Sequence, residues 1–163
     1  MKSYLSSLLI VFLALEFSQN SFAEEDVSLL KKECNDKNTN SCLALSKIYR
    51  EGIILPKDPH LKLEYLQKAC DLGDGKGCSN IGVHIINNNP TDKELERAIN
   101  LFDKACNLKE PIGCYNLANL YESNKRSKFN MEEANLALKR ACDLEYFKAC
   151  VELADNYMLG NGV

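Results

Sequence analysis

The sequence predicts an all-α chain, an α/α solenoid built from 36-residue helix pairs, on three observations. Eight cysteines fall in four pairs, Cys34 with Cys42, Cys70 with Cys78, Cys106 with Cys114 and Cys142 with Cys150. The partners are always eight positions apart and the first members always 36 apart. Apolar and small residues recur in columns of the same period, at the spacings of three, four and seven that mark one helix face. Glycine, proline and asparagine clusters separate the columns. A fixed period in this range marks a repeat array, in which each unit buries its apolar face only against its neighbours.

Residues 1–23 carry Lys2, a mostly apolar run over Leu5–Leu15, and small residues at Ser21 and Ala23, the −3 and −1 positions of a cut before Glu24. This is the pattern of a secretory signal peptide, and the run is too short for the roughly 20 residues a membrane span needs. The expected organisation is a leader over 1–23 and a solenoid over 24–163, with three full repeats and a half repeat at each end. Export implies an oxidising compartment, where thiols pair.

The expected helices are 26–35, 41–50, 58–71, 77–87, 91–107, 112–123, 130–143 and 148–158, with no strand. They alternate between two kinds. In the helix that contains each second cysteine, here called A, Leu45, Ile81, Leu117 or Leu153 comes three residues later. Ser46, Gly82, Ala118 or Ala154 follows, small enough for another helix to approach, and Tyr49, Ile85, Tyr121 or Tyr157 completes the face. In the helix that ends near each first cysteine, here called B, Ala69, Ala105 and Ala141 directly precede the cysteine, and Leu30, Leu66, Phe102 and Leu138 lie four before it. Lys32, Lys68, Lys104 and Arg140, two before it, suit the negative end of the helix dipole. Gly52 with Pro56 and Pro59, Asn87 through Pro90, and Ser123-Asn124 separate A from B. Asp71 through Gly75 joins a B helix to the next A helix, and Thr91 with Glu94 forms a capping box.

Antiparallel helices joined by a tight turn bring each cysteine pair within the Cα separation of roughly 4.4–6.8 Å that a disulfide requires. The predicted bridges are Cys34–Cys42, Cys70–Cys78, Cys106–Cys114 and Cys142–Cys150. Closing a loop of about nine residues contributes roughly 2.5 kcal/mol per bridge, about 10 kcal/mol in all, as much as a typical domain's net stability. A zinc reading lacks the close C-x₂₋₄-C ligand pairs, and thiol–disulfide catalysis lacks C-x-x-C. No metal and no cofactor is therefore expected.

With 20 Lys and Arg against 23 Asp and Glu and no basic block, the chain has no cationic face for nucleic acid or anionic membrane. Gly73 through Gly77 is glycine-rich but lacks the strand and the Gly-Lys-Ser of a phosphate loop. His60, after Pro59, and His84, two after Gly82, occupy unrelated positions of the repeat and read as structural or solvated.

The strings Tyr65-Leu66-Gln67-Lys68-Ala69-Cys70-Asp71-Leu72-Gly73 and Cys114-Tyr115-Asn116-Leu117-Ala118-Asn119-Leu120-Tyr121 resemble Sel1-like, TPR-like repeats. Paired cysteines at this period behind a bacterial leader resemble the Helicobacter cysteine-rich protein family, over residues 27–163. The resemblance implies a right-handed superhelix of disulfide-locked helix pairs. It also implies a secreted or periplasmic bacterial protein with penicillin-binding or β-lactamase activity and contact with host immune cells. Asn124 and Lys125–Lys128 depart from the family's glycine turn. After the last A helix, the apolar stripe of Leu153 and Tyr157 is expected to be exposed and frayed unless the chain is a shortened member.

A serine β-lactamase needs Ser-x-x-Lys and further Ser/Lys motifs. Ser28-Leu29-Leu30-Lys31 matches the first string, but Leu29 and Leu30 read as a packing face, and neither Ser-Asp-Asn nor Lys-Thr-Gly occurs. The catalytic residues of such an enzyme are therefore unknown. The favoured reading is a monomeric, non-catalytic protein that binds a peptide, a protein or a cell-wall fragment on a concave face lined by A helices. Asn80, Asn116 and Asn119 are its candidate groove residues, because asparagine side chains hydrogen-bond a peptide backbone whatever its sequence. A third reading, an envelope assembly or redox-linked chaperone, calls for free thiols.

Overall fold

The computed structural model describes residues 25–123 and 131–162. The expected leader and the segment Asn124–Lys128 lie outside the described residues. Among those residues every regular element is a helix: α1 (25–35), α2 (Thr39–Glu51), α3 (Pro59–Asp71), α4 (Gly75–Ile86), α5 (Asp92–Asn107), α6 (Pro111–Ser123), α7 (Met131–Asp143) and α8 (Phe147–Met158). The bounds match the sequence expectation to within two residues.

All four predicted disulfides are present, with Cα separations of 4.5–4.9 Å, and no cysteine is free. One backbone device places each pair. The third residue after each first cysteine, Lys37, Gly73, Lys109 or Glu145, has a left-handed backbone with φ between 61° and 91°. Its N–H donates to that cysteine's carbonyl at 2.9–3.2 Å, and the next N–H reaches back five residues at 2.9–3.0 Å. This Schellman motif closes each B helix and sends the chain straight into the next A helix. Asn38 and Asp74 then accept from the first N–H groups of α2 and α4.

The chain forms two compact units, Met1–Lys62 and Leu63–Val163. In the first, α1 and α2 bury Val27, the Cys34–Cys42 bridge, Leu45 and Tyr49, and the Ser41 hydroxyl donates to Glu33 at 2.6 Å. Leu29 and Leu30 do not share a packing face. Spacings of three and seven put Val27, Leu30 and Cys34 on one side of α1, which leaves Leu29 54% exposed.

In the second unit α4 packs on α5, α5 on α6, α6 on α7 and α7 on α8, while α4 also touches α6. The core runs through Ala98, Phe102, Cys106, Cys114, Leu117, Ala118, Leu138 and Ala141. At Gly82 a Cβ would stand 2.6 Å from the Phe102 ring, so α5 seats its aromatic directly on the α4 backbone. The capping box forms as expected: Thr91 Oγ1 accepts from Glu94 N, and the Glu94 carboxylate accepts from Thr91 N at 2.8 Å. Arg140 does more than offset a dipole. Its guanidinium lies 3.5 Å from Asp103 and donates to Asn107 at 2.6 Å, tying α7 to α5.

The face of α8 is exposed, with Tyr157 at 50%, but the turn after it is held rather than frayed. Asn135, buried on α7, donates to the carbonyls of Asn161 and Gly162 at 2.7 and 3.3 Å and accepts from Asn156 at 2.9 Å. The same column holds Leu63 and Ile99, so an amide here stands at an otherwise apolar position.

Candidate functional site

A cavity of about 260 Å³ opens between α4, α5 and α6, lined by Val83, Ile86, Asn87, Phe102, Asn116, Asn119, Leu120 and Ser123. Phe102 sits against the α4 backbone at Gly82, and with Val83, Ile86 and Leu120 it gives the cavity an apolar floor. Three primary amides stand around that floor. Asn116 Nδ2 lies 3.5 Å from Ser79 Oγ on the neighbouring A helix, at the limit of hydrogen bonding. Asn87 ends α4, its N–H bonded to Val83 O. Ser123, the one hydroxyl in the lining, donates to Leu120 O at 3.3 Å. No lining side chain is ionisable, so the site offers hydrogen bonds and apolar contact without a base or nucleophile pair.

Two of the three candidate asparagines, Asn116 and Asn119, meet in this cavity. Asn80 occupies the same column as Asn116 one repeat earlier, but it is exposed on α4 and outside the lining. Ile86, Asn87 and Ser123 escaped the sequence reading because they fall at helix ends, where the sequence reads only breakers. The tight column at Gly82 opposite bulky Phe102 was the available signal.

The next A–A junction is polar and aromatic. The Tyr115 hydroxyl donates to Glu152 at 2.8 Å, its ring meets Tyr146 in a tilted contact with centroids 5.0 Å apart, and Lys148 Nζ lies 4.8 Å from the centroid of the same ring. The adjoining Tyr115 hydroxyl raises the Lys148 pKa from its ordinary value. Burial raises that of Tyr121, aided by the negative charges of Glu133 and Asp103.

Ser28 and Lys31 are both exposed on α1. His60 is exposed at the start of α3, its N–H bonded to Asp58. His84 shares hydrogen bonds with Asn88. Among the described residues no three His, Cys, Asp or Glu side chains converge as a metal site, and no helix is long and apolar enough to cross a membrane.

The Sel1 repeat profile matches residues 39–74, 88–110 and 147–163. A Sel1 repeat protein of Oxalobacter formigenes aligns with a TM-score of 0.75 at 18% identity, over 86% of this chain and 58% of that one. A protective antigen of uropathogenic Escherichia coli displaying an SLR fold gives 0.71 at 22% identity, over 84% and 29%. Cysteine rich protein B of Helicobacter pylori gives 0.63 at 27% identity, over 82% of this chain and 96% of that one. Fifty residues are 42% identical to cytochrome c oxidase assembly factor 7 of Xenopus tropicalis, 30% of this chain and 22% of that protein. The chain thus spans well under two thirds of that frog protein and of the Escherichia coli antigen.

Proposed function

We propose that this chain, a Sel1 repeat protein by sequence and fold, is an extracytoplasmic interaction module that holds an uncharged, extended peptide segment in the cavity between α4, α5 and α6. The observation that carries this reading is the lining: an apolar floor of Val83, Ile86, Phe102 and Leu120 beneath the amides of Asn87, Asn116 and Asn119, with no charge. A side-chain amide can donate to a peptide carbonyl and accept from a peptide N–H at once, so amides along the cavity recognise backbone. The floor selects an aliphatic side chain. A charged side chain entering it would lose hydration without gaining a partner.

The four disulfides support placement outside the reducing cytoplasm, as does the likeness to the Helicobacter cysteine rich protein. Ser28 and Lys31 are both exposed on α1, and neither Ser-Asp-Asn nor Lys-Thr-Gly occurs in the chain to accompany them, so nothing here supports β-lactam chemistry. All eight cysteines are bridged, which leaves a thiol-based chaperone role without its reactive group.

A library of displayed linear nonapeptides, panned on the oxidised protein and followed by calorimetry of the recovered peptides, tests the reading. Neutral sequences with one aliphatic anchor should be recovered. Asn116→Ala should weaken them roughly 2–10-fold, the worth of one hydrogen bond. Val83→Glu should abolish binding, and Asn80→Ala should leave it unchanged. Recovered peptides indifferent to Asn116→Ala and Val83→Glu would overturn the site.

A further inference from the structure

A second cavity, of about 320 Å³, lies between α5, α6 and α7 and shares no residue with the first. Its inner wall is apolar, with Leu117 of α6 and Ala137 of α7 each 3% exposed. Its rim is charged, and the charges do not cancel. Arg140 is held by Asp103 at 3.5 Å and by Asn107, and Lys139 by Asp143 at 2.8 Å. Glu133 is a third carboxylate against those two cations, so the lining carries one negative charge in excess. Tyr121, also in the lining, senses that excess. Beyond the effect of burial, Glu133 and Asp103 raise its pKa further, against the smaller opposing effect of Arg140.

Three lining residues break the repeat's columns together. One period earlier, the positions of Tyr121, Glu133 and Leu136 hold Ile85, Arg97 and Asn100. The column of Leu136 is exposed in every repeat, as Ser28, Glu64 and Asn100. The 59% exposure of Leu136 therefore owes nothing to its place in the array. A leucine there adds little to the core. It carries the apolar wall out to the rim, one helical turn from Glu133.

We propose that this cavity binds an aliphatic primary ammonium, its methylene stem along Leu117, Leu136 and Ala137 and its head between Glu133 and Tyr121. An ammonium offers three donors and no acceptor, which suits a carboxylate beside a phenol oxygen. Its stem covers apolar surface while the head stays at the charged rim. The excess negative charge turns away an anionic guest, and a neutral aliphatic one leaves that charge unanswered.

The whole oxidised chain, isotope-labelled, is titrated with n-pentylamine at neutral pH and followed by its amide NMR shifts, with n-pentanol as the neutral match. The amine should bind saturably, moving amides of α6 and α7 around Tyr121 and Ala137, and the alcohol should not. Glu133→Gln should weaken the amine roughly 10–100-fold, the worth of a charged hydrogen bond. Leu136→Asn, which installs the residue of the preceding repeat, should weaken it roughly 2–10-fold. Both positions are exposed, so each variant should keep the parent's helical circular dichroism. Asn116→Ala, in the first cavity, should leave amine binding unchanged, so the two sites stand or fall separately. Nα-acetyl-lysine amide that binds as well as the amine identifies a lysine side chain as the guest; binding by the free amine alone identifies a small amine. Pentanol that binds as tightly as pentylamine would overturn the proposal. So would amine binding indifferent to Glu133→Gln, or shifts that never saturate and spread over acidic residues elsewhere.

Discussion

Lys37, Lys109 and Glu145 hold a left-handed backbone that costs a residue with a Cβ about 1–2 kcal/mol; only Gly73, in the second repeat, meets the same demand freely. The two hydrogen bonds that close each B helix and the covalent bond across the turn keep the strained residues in place. Lys109→Gly should therefore raise stability by about 0.5–1 kcal/mol, an increase in melting temperature of about 2–4 °C. Gly73→Ala should lower it by a similar amount, since open space surrounds Gly73 and only the backbone objects. Thermal melts of the oxidised proteins decide both. The cysteine spacing announced a tight turn here, but not its left-handed position, which holds lysine or glutamate in three repeats of four, residues that carry no turn signal. Thr91 and Glu94 were legible because a capping box is written in residue types. Bonds from the Thr91 backbone and hydroxyl hold the Glu94 pKa below its ordinary value. Its contribution to folding is thus complete above the ordinary glutamate range and is lost as pH falls through the lowered value. A carboxyl NMR titration should find this depression and see it vanish in Thr91→Ala.

At the scale of single elements, the bridges differ in one respect that the periodicity hides. Cys34, Cys42, Cys70, Cys78, Cys106 and Cys114 are 0–3% exposed, whereas Cys142 and Cys150 are half-buried. Attack on a disulfide needs access for the incoming thiolate. Under limiting dithiothreitol, Cys142–Cys150 should open first, and alkylation with mass spectrometry should find label there before any other pair. The helices themselves were readable because each buries one stripe and a glycine or asparagine follows each A helix within two residues. The groove was half readable. Asn116 recurs in its column as Asn80 and Asn119 stands on the outward row beside the core stripe, but Ile86, Asn87 and Ser123 fall at helix ends, outside any column pattern. Asn135 was missed for another reason. An amide at an apolar position looks like a core defect until the chain carbonyls of Asn161 and Gly162 arrive to use it.

For the whole molecule, the apolar side chains of each helix pair are few and small, with alanine filling much of the core, so the covalent links carry an unusual share of stability. Complete reduction should remove about 10 kcal/mol, as much as most domains possess. Circular dichroism should then show loss of cooperative melting at 37 °C, with recovery on reoxidation. The fold class was legible at this scale because a repeat prints its rule four times. What each repeat packs against was not, since the same column is core in α6 and surface in α8, and only the neighbour decides which.

The spacing of the bridges also bears on how the protein is made. For the first cysteine of each pair, the proper partner is the next cysteine in the chain, eight residues on. At synthesis rates of about 5–20 residues per second that partner follows within roughly two seconds. A catalyst that joins thiols strictly in order of emergence would therefore produce the native set with no reshuffling, and a pair once closed takes its thiols out of competition for those still to come.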